Sequence, residues 1–261
     1  IAEHKATILP LVPTIYSFLI QLYARGGYDV SSLRYCISGG ASLPEALLKR
    51  VEEGLGVTVI EGYGLTETSP VIAVNTMKDG SVPGSVGPVL PNIELDIVDD
   101  TGKQVAQGEV GEIRVRGETV MKGYWNRPNE TEETISADGW LRTGDLGHLD
   151  ENGRLFISAG RKKDLIIRAG ENVSPLAIEN ALMNHPAIAE VAAVGIADER
   201  VGEKVKVFAV LREGAQATGQ ELKELCRKKL PAFMIPDIFE FMESLPKTAT
   251  GKILKSELRN I

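Results

Sequence analysis

The segment Glu61-Gly-Tyr-Gly-Leu-Thr-Glu-Thr68 follows an apolar run, Val57-Thr-Val-Ile60, directly. Its two glycines, Gly62 and Gly64, let the backbone approach a ligand without a Cβ in the way, and their amides can face an anion. Thr66 adds a hydroxyl at phosphate distance, and Glu67 offers hard oxygens to a divalent cation. Tyr63 presents a flat face to a base or ring. Read alone, the segment is equally a turn with two glycines. Gly39-Gly40-Ala41 is a second Gly-bearing turn, again between a short apolar run and a helix signal. Ligands of open α/β sheets sit outside the carboxyl ends of the strands. Two such turns at neighbouring strand ends therefore favour a pocket more than either does alone.

Three further clusters carry chemistry-bearing side chains. In Gly139-Trp-Leu-Arg-Thr-Gly-Asp145 the aspartate either makes Asx hydrogen bonds in its own turn or accepts both hydroxyls of a ribose. Gly160-Arg-Lys-Lys-Asp164 lies where the patterning of the chain changes, and Leu245-Pro-Lys-Thr-Ala-Thr-Gly-Lys252 lies near the C-terminus. Isolated lysines are mostly solvated, yet a Lys after Gly on a polar loop can be delivered to a site by domain movement.

The elements that must position these residues follow from periodicity. Residues 11–25 have apolar side chains at helical spacing and stop at Gly26-Gly27. Residues 34–38 read as a strand and residues 43–53 as a helix, with Ser42 as N-cap and Pro44 in the first turn. Residues 57–60 form the next strand, so a parallel pair with a helical crossover is expected. From about residue 82 the rhythm becomes β. Residues 93–98 alternate strictly, Ile113-Arg-Val-Arg116 suggests a strand with one wet face, and Asn152-Gly153 predicts a type I′ hairpin. Residues 82–160 are expected to form a small, mostly antiparallel sheet or barrel. The remainder reads as compact α+β. Ser174-Pro175 opens a helix whose Leu176, Ile178, Ala181 and Leu182 face inward. Strands follow at residues 190–196 and 204–211, then a capping box, Thr218-x-x-Glu221, and a helix with Leu222, Leu225 and Cys226 on one face. Pro231 ends that helix, and a strand at 237–242 leads to a Gly-bearing loop and a short helix. The expected organisation is an α/β part (1–81), a barrel-like part (82–160), a linker (161–163) and an α+β domain (164–261).

Composition bounds the class. The chain has 261 residues, 43% hydrophobic and 25% charged, with 27 glycines and 13 prolines. This excludes a disordered, collagen-like or coiled-coil chain and leaves enough length for a proper core. The longest apolar stretch, residues 8–22, is broken by Pro10, Pro13 and Gln21 and falls short of a membrane span. No signal-peptide pattern is present, and a soluble chain without a transmembrane segment is expected. With 29 Lys+Arg against 36 Asp+Glu the formal net charge is −7, so a global basic footprint for nucleic acid is absent. Arg227-Lys228-Lys229 reads as a solvated face. Cys36 and Cys226 sit among apolar neighbours and read as two buried thiols, which points to the reducing cytoplasm. His4, His148 and His185 stand alone, without the spacing of a zinc site.

In this order and spacing the motifs resemble the adenylate-forming superfamily: acyl-CoA synthetases, peptide-synthetase adenylation domains and beetle luciferases. The likeness is strongest to bacterial medium- and long-chain fatty acyl-CoA ligases. It is carried by Tyr-Gly-Leu-Thr-Glu-Thr-Ser-Pro70, Met-Lys-Gly-Tyr-Trp-Asn-Arg-Pro128, Gly-Trp-Leu-Arg-Thr-Gly-Asp145 and Gly-Arg-Lys-Lys-Asp-Leu-Ile-Ile167. The resemblance implies ATP, Mg²⁺ and CoA as ligands and a small-molecule carboxylate as substrate. It assigns Gly39, Gly40 and Ala41 to the acyl and adenine wall, and Glu61, Gly62, Tyr63 and Gly64 to the border of the adenine, with Tyr63 stacking on it. Thr66 would meet the α-phosphate, Glu67 would bind Mg²⁺, Asp145 would take the ribose hydroxyls and Arg161 would support them. Lys163 would be the hinge, Ala169 and Gly170 would approach CoA, and Lys252 would be the catalytic lysine of adenylation. The family's Gly- and Ser/Thr-rich phosphate loop is not among these residues, so the chain is expected to be the second half of a synthetase and inactive by itself. Many relatives place a Lys six positions after the linker Arg, where this chain has Ile167 followed by Arg168. Two other readings are a non-catalytic nucleotide- or partner-binding protein and an adenylation module that loads a carrier protein.

Overall fold

The structure is a computed structural model that describes residues 1–78, 80–248 and 251–261. It divides into two compact units, residues 1–157 and 158–261. The first unit opens with β1 (Ile8–Leu11), α1 (Pro13–Tyr23), β2 (Tyr35–Ser38), α2 (Glu45–Leu55) and β3 (Thr58–Tyr63). β1, β2 and β3 run parallel, each pair joined through a helix; the spacing predicted this for β2 and β3, whereas β1 was not anticipated. Pro13 starts α1 where its missing N–H costs nothing. α2 buries Leu47, Leu48, Val51 and Leu55 at helical spacing and ends at Gly56, which takes the left-handed conformation at φ +65°. Its N-cap is Pro44, with no side-chain cap. The expected Ser42 cap is thus displaced, because Pro44 supplies the extended residue and the first helical position falls at Glu45. Tyr16 is fully buried beneath this sheet, and its hydroxyl donates to the carbonyls of Leu9 (2.5 Å) and Ile37 (3.1 Å). The ring fills the core while its polar end ties β1 to β2. Burial pushes that hydroxyl's pKa well above the usual tyrosine range.

After β3, the short β4 (Ala73–Val74) folds back antiparallel to it, pairing Gly62 with Val74 and Tyr63 with Ala73. β5 (Ser85–Pro88), β6 (Ile93–Val98), β7 (Gly111–Gly117), α3 (Pro128–Thr134), β8 (Leu141–Leu149) and β9 (Arg154–Arg161) follow. Their sheet is antiparallel, in the order β5-β9-β8-β7-β6. Ile113 and Val115 of β7 are fully buried in its core, with Leu141 and Leu155. The arginines between them lie on the wet face: Arg114 pairs with Asp96 (2.8 Å) and Arg116 with Glu94 (2.5 Å), and both guanidinium groups stack over Trp140. The β8–β9 turn is not type I′. Gly153 has φ +73°, but Asn152 does not share a positive φ. The Asp150 carboxylate instead accepts the N–H groups of Asn152 and Arg154, which favours a type I turn followed by a left-handed glycine.

The second unit contains β10 (Ile166–Arg168), β11 (Glu171–Val173), α4 (Pro175–Met183), β12 (Ile188–Asp198), β13 (Gly202–Leu211), α5 (Gly219–Lys229), β14 (Ile238–Phe241) and α6 (Lys255–Leu258). The sheet order is β11-β10-β13-β12, with β14 parallel to β13 on the side. Ser174 caps α4 through Ala177 N–H, and Thr218 and Glu221 form the expected reciprocal box at α5. One apolar cluster joins Ile178 and Leu182 of α4 and Leu222 and Cys226 of α5 to strand residues including Val191 and Val207. A second joins Ala192, Val194 and Phe208 to Leu245 and Leu258. Leu176 is only half-buried, at the margin of the α4 face rather than in it. Both cysteines are buried free thiols, as expected. Among the described residues no helix is long and apolar enough to cross a membrane. Because the second unit has its own two-sided core, residues 158–261 expressed alone should unfold in one cooperative thermal transition. A broad, non-cooperative melt in calorimetry would contradict this.

Candidate active site

The first unit brings most of its predicted residues to the carboxyl ends of β2 and β3. Ser38, the last residue of β2, is in register with Glu61 of β3, so the Gly39-Gly40-Ala41 turn leaves the sheet beside the Glu61-Gly62-Tyr63 end. A Cβ on Gly39 would lie 3.6 Å from the Gly62 carbonyl oxygen, so the two backbones run close together there. Gly40 holds φ +78°. Gly64 has no substitute: a Cβ there would stand 1.7 Å from the Pro70 carbonyl oxygen. The missing Cβ lets the chain return from β3 to β4 in close contact with Pro70, with the 3₁₀ turn Thr66–Thr68 between them.

Tyr63 meets Asp145 directly. Its hydroxyl donates to Asp145 Oδ2 at 2.7 Å across 82 residues of sequence. Asp145 is buried on β8, and its own N–H donates to Thr143 Oγ1, whose hydroxyl donates to the Ile113 carbonyl. Asp145 thus makes a long-range contact as well as its bonds within β8. An aromatic ring, a buried carboxylate and a glycine-lined backbone thus share one place, which matches the chemistry of a nucleoside: a base face and two vicinal hydroxyls.

Thr66 is exposed at the head of the 3₁₀ turn, and Glu67 is half-buried beside it. Glu67 Oε1 accepts the Tyr124 hydroxyl at 2.9 Å, and its carbonyl accepts Met121 N–H at 2.8 Å. Sequence reasoning gave Tyr124 no role. It lies in a quoted motif, but no local pattern signals a contact 57 residues away. Glu67 is a single carboxylate: among the described residues no group of three or more His, Cys, Asp or Glu could hold a metal. Such a donor set fits Mg²⁺, which keeps several waters and binds through one or two carboxylates plus substrate phosphates.

Glu61 behaves differently from the others. Its side chain is buried, and Oε1 accepts the N–H of Leu43 at 3.0 Å, beyond the Gly39–Ala41 turn. Its own carbonyl accepts Asn75 N–H and Asn75 Nδ2. Asn75, which also bonds the Ser85 carbonyl, is another buried polar residue that periodicity did not signal. Burial pushes the Glu61 carboxyl up to about 7, against the opposing pull of the Leu43 N–H.

The second unit carries Arg161, Lys163, Ala169, Gly170 and Lys252. Arg161 precedes a 3₁₀ turn, Lys162–Asp164, in which Lys163 is exposed. Ala169 (φ +50°) and Gly170 (φ +85°) form the two-residue turn between β10 and β11, with Arg168 opposite Glu171. A type I′ turn needs positive φ at both positions, and a non-glycine residue there costs about 1 kcal/mol or more. Arg168 is committed elsewhere: it pairs with Asp237 (2.8 Å) and donates to the carbonyls of Phe233 and Ile235. Lys252 is exposed, beyond Ala249 and Thr250 of its motif, which lie outside the described residues.

Fold and site together are those of a class of protein for which family models exist. Two family models agree: "AMP-binding enzyme" matches residues 1–125 and "AMP-binding enzyme C-terminal domain" matches residues 177–252. The chain belongs to this family. It is 44% identical to the long-chain-fatty-acid–CoA ligase of Bacillus subtilis (strain 168), covering 99% of this chain and 46% of that ligase. Among solved structures it is similar to the anthranilate CoA ligase AuaEII in complex with anthranoyl-AMP (TM-score 0.93, 36% identity, covering 99% of this chain and 50% of that one). It is also similar to ATP-bound MatB from Rhodopseudomonas palustris (TM-score 0.91, 35% identity, covering 98% and 51%). The chain spans about half the length of the curated relatives it matches.

The buried Glu61 gives a pH signature. The folded state keeps its proton up to about pH 7, whereas the ordinary value is 4.5. Stability should therefore fall as pH rises from about 4.5 through 7, and lie about 3 kcal/mol lower above that window. Glu61→Gln should flatten this part of the curve and exceed the parent's stability at pH 8, while matching it near pH 4. Parallel stability–pH curves for the two proteins would contradict the assignment.

Proposed function

We propose that the whole protein to which this chain belongs is an ATP-dependent fatty acyl-CoA ligase. A carboxylate oxygen attacks the α-phosphorus of ATP, the acyl–O–P bond forms, and pyrophosphate leaves with the electron pair of the broken P–O bond. The CoA sulfur, as thiolate, then attacks the acyl carbon, and AMP leaves. The observation that carries this reading is the Tyr63–Asp145 contact beside the Gly39 turn, which suits a nucleoside. The name of the Bacillus subtilis relative supports the fatty acid and CoA as substrates. Two buried free thiols are in keeping with the reducing cytoplasm.

In this reading Gly39, Gly40 and Ala41 line the acyl and adenine wall. Glu61, Gly62 and Gly64 border the adenine, and Tyr63 lies against it. Asp145 accepts the ribose hydroxyls with support from Arg161, and Thr66 donates to the α-phosphate. Glu67 would hold Mg²⁺, which supplies charge neutralisation to the phosphates when bound. Lys163 is the hinge between the two half-reactions, and Ala169-Gly170, a turn with positive φ at both residues, approaches CoA. Chemistry of this kind needs positioning and charge stabilisation rather than a covalent nucleophile.

Lys252 places an ammonium on charge that grows as the pyrophosphate departs, so it stabilises the transition state more than the ground state. Lys252→Ala in the whole protein should lower the adenylation rate about 10²–10³-fold. Conversion of a supplied acyl-adenylate to acyl-CoA should continue at near the parent rate. Equal loss in the two half-reactions, measured separately, would sink this role.

A further inference from the structure

We propose that Lys247 and Lys255 are positioning residues, which fix the turn bearing Lys252 to the sheet of the second unit through Glu190 and Glu179. The inference rests on the role proposed for Lys252. Three lysines lie in this C-terminal stretch, and the structure treats them differently. Lys252 is exposed. Lys247 is only 20% exposed, and its ammonium lies 2.6 Å from Glu190 Oε1 on β12. Lys255 is 22% exposed, and its ammonium lies 2.7 Å from Glu179 Oε1 on α4. One anchor thus precedes Lys252 by five positions and the other follows it by three.

The described residues between the anchors bond to one another. Lys247 bridges antiparallel to Ile253, and Leu254 N–H donates to the Pro246 carbonyl. Thr248 N–H donates to the Lys252 carbonyl at 2.8 Å, Lys252 N–H returns to Thr248 Oγ1 at 3.1 Å, and Gly251 N–H reaches the Thr248 carbonyl. Beneath it, Leu245 and Leu258 are buried in the cluster formed with Ala192, Val194 and Phe208. The described residues on the two sides of Lys252 are thereby tied to the sheet and to each other, with the Lys252 backbone held against Thr248.

The two glutamates are themselves built in. Glu179 Oε1 also accepts the Ala193 N–H at 2.8 Å, so the carboxylate that holds Lys255 is fixed to β12. Glu190 Oε2 is buried without a hydrogen-bond partner among the described residues, so its carboxylate depends on Lys247 for charge compensation. Ion pairs this far removed from water do little for net stability, but breaking one leaves a desolvated charge and shifts what it held. A catalytic group displaced by about 1 Å can lose about 10² in rate. The pairs therefore bear on where Lys252 stands more than on whether the unit folds.

The test uses the whole protein, with the half-reactions assayed separately and Lys252→Ala run alongside. Lys247→Met should slow adenylation at saturating ATP by about ten- to a hundredfold. The KM for ATP and the thioester step should stay near their parent values. The charge swap Lys247→Glu with Glu190→Lys should recover most of the loss. Hydrogen exchange at the Thr248, Gly251 and Lys252 amides should quicken in Lys247→Met and slow again in the swap. Unchanged exchange and adenylation in Lys247→Met would overturn the proposal, as would equal loss in both half-reactions without rescue. Should Lys252→Ala leave adenylation intact, the role of Lys252 falls, and the exchange rates alone then decide whether the ion pairs hold the turn.

Discussion

The hydrogen bond from the Tyr63 hydroxyl to Asp145 is the contact on which the arrangement of the first unit's site depends. It joins the end of a parallel α/β sheet to a strand of a separate antiparallel sheet. Each partner is fixed independently. Tyr63 is the last residue of β3, and Gly64 must follow it because the chain turns back against Pro70 with no room for a Cβ. Asp145 is held from behind through Thr143 and the Ile113 carbonyl. Each sheet thus supplies one partner of the contact, and the hydrogen bond sets the spacing between them. A charge-assisted bond of this kind is shorter and stronger than a neutral one.

Behind that contact lies a layer of buried polar groups that keep the strand ends in place. Glu61 reaches across the Gly39 turn to Leu43 N–H, while Asn75 takes up the Glu61 and Ser85 carbonyls. Ser38, in register with Glu61, is fully buried, and its hydroxyl has no hydrogen-bond partner among the described residues. Leaving polar groups short of partners costs stability. That cost falls at the strand ends where the sequence places its glycine turns, in keeping with strain concentrated at functional sites.

What could be read from the sequence was local. The elements of the β2–α2–β3 crossover, the wet face of β7, the Ser174 cap and the Thr218–Glu221 box are each signalled by residues within a few positions of one another. The Ser42 cap and the Asn152-Gly153 turn failed although they too are local, because a neighbouring residue offered a better solution: Pro44 in one case, the Asp150 carboxylate in the other. The site divides the same way. Its glycines, Tyr63, Glu67 and Asp145 stood out by type and spacing. The pairing of Tyr63 with Asp145, the hold of Tyr124 on Glu67 and the reach of Glu61 to Leu43 did not, because each spans 18 to 82 residues and only the fold closes the distance.

The central claim is that Tyr63 and Asp145 act as one nucleoside-binding unit, and a double-mutant cycle tests it most directly. Tyr63→Phe, Asp145→Asn and the double substitution would be made in the whole protein, and the dissociation constant of a non-hydrolysable acyl-adenylate analogue measured for each. The account predicts a coupling free energy of about 1 kcal/mol or more, the double variant losing less than the sum of the singles. Strict additivity, within about 0.5 kcal/mol, would contradict it.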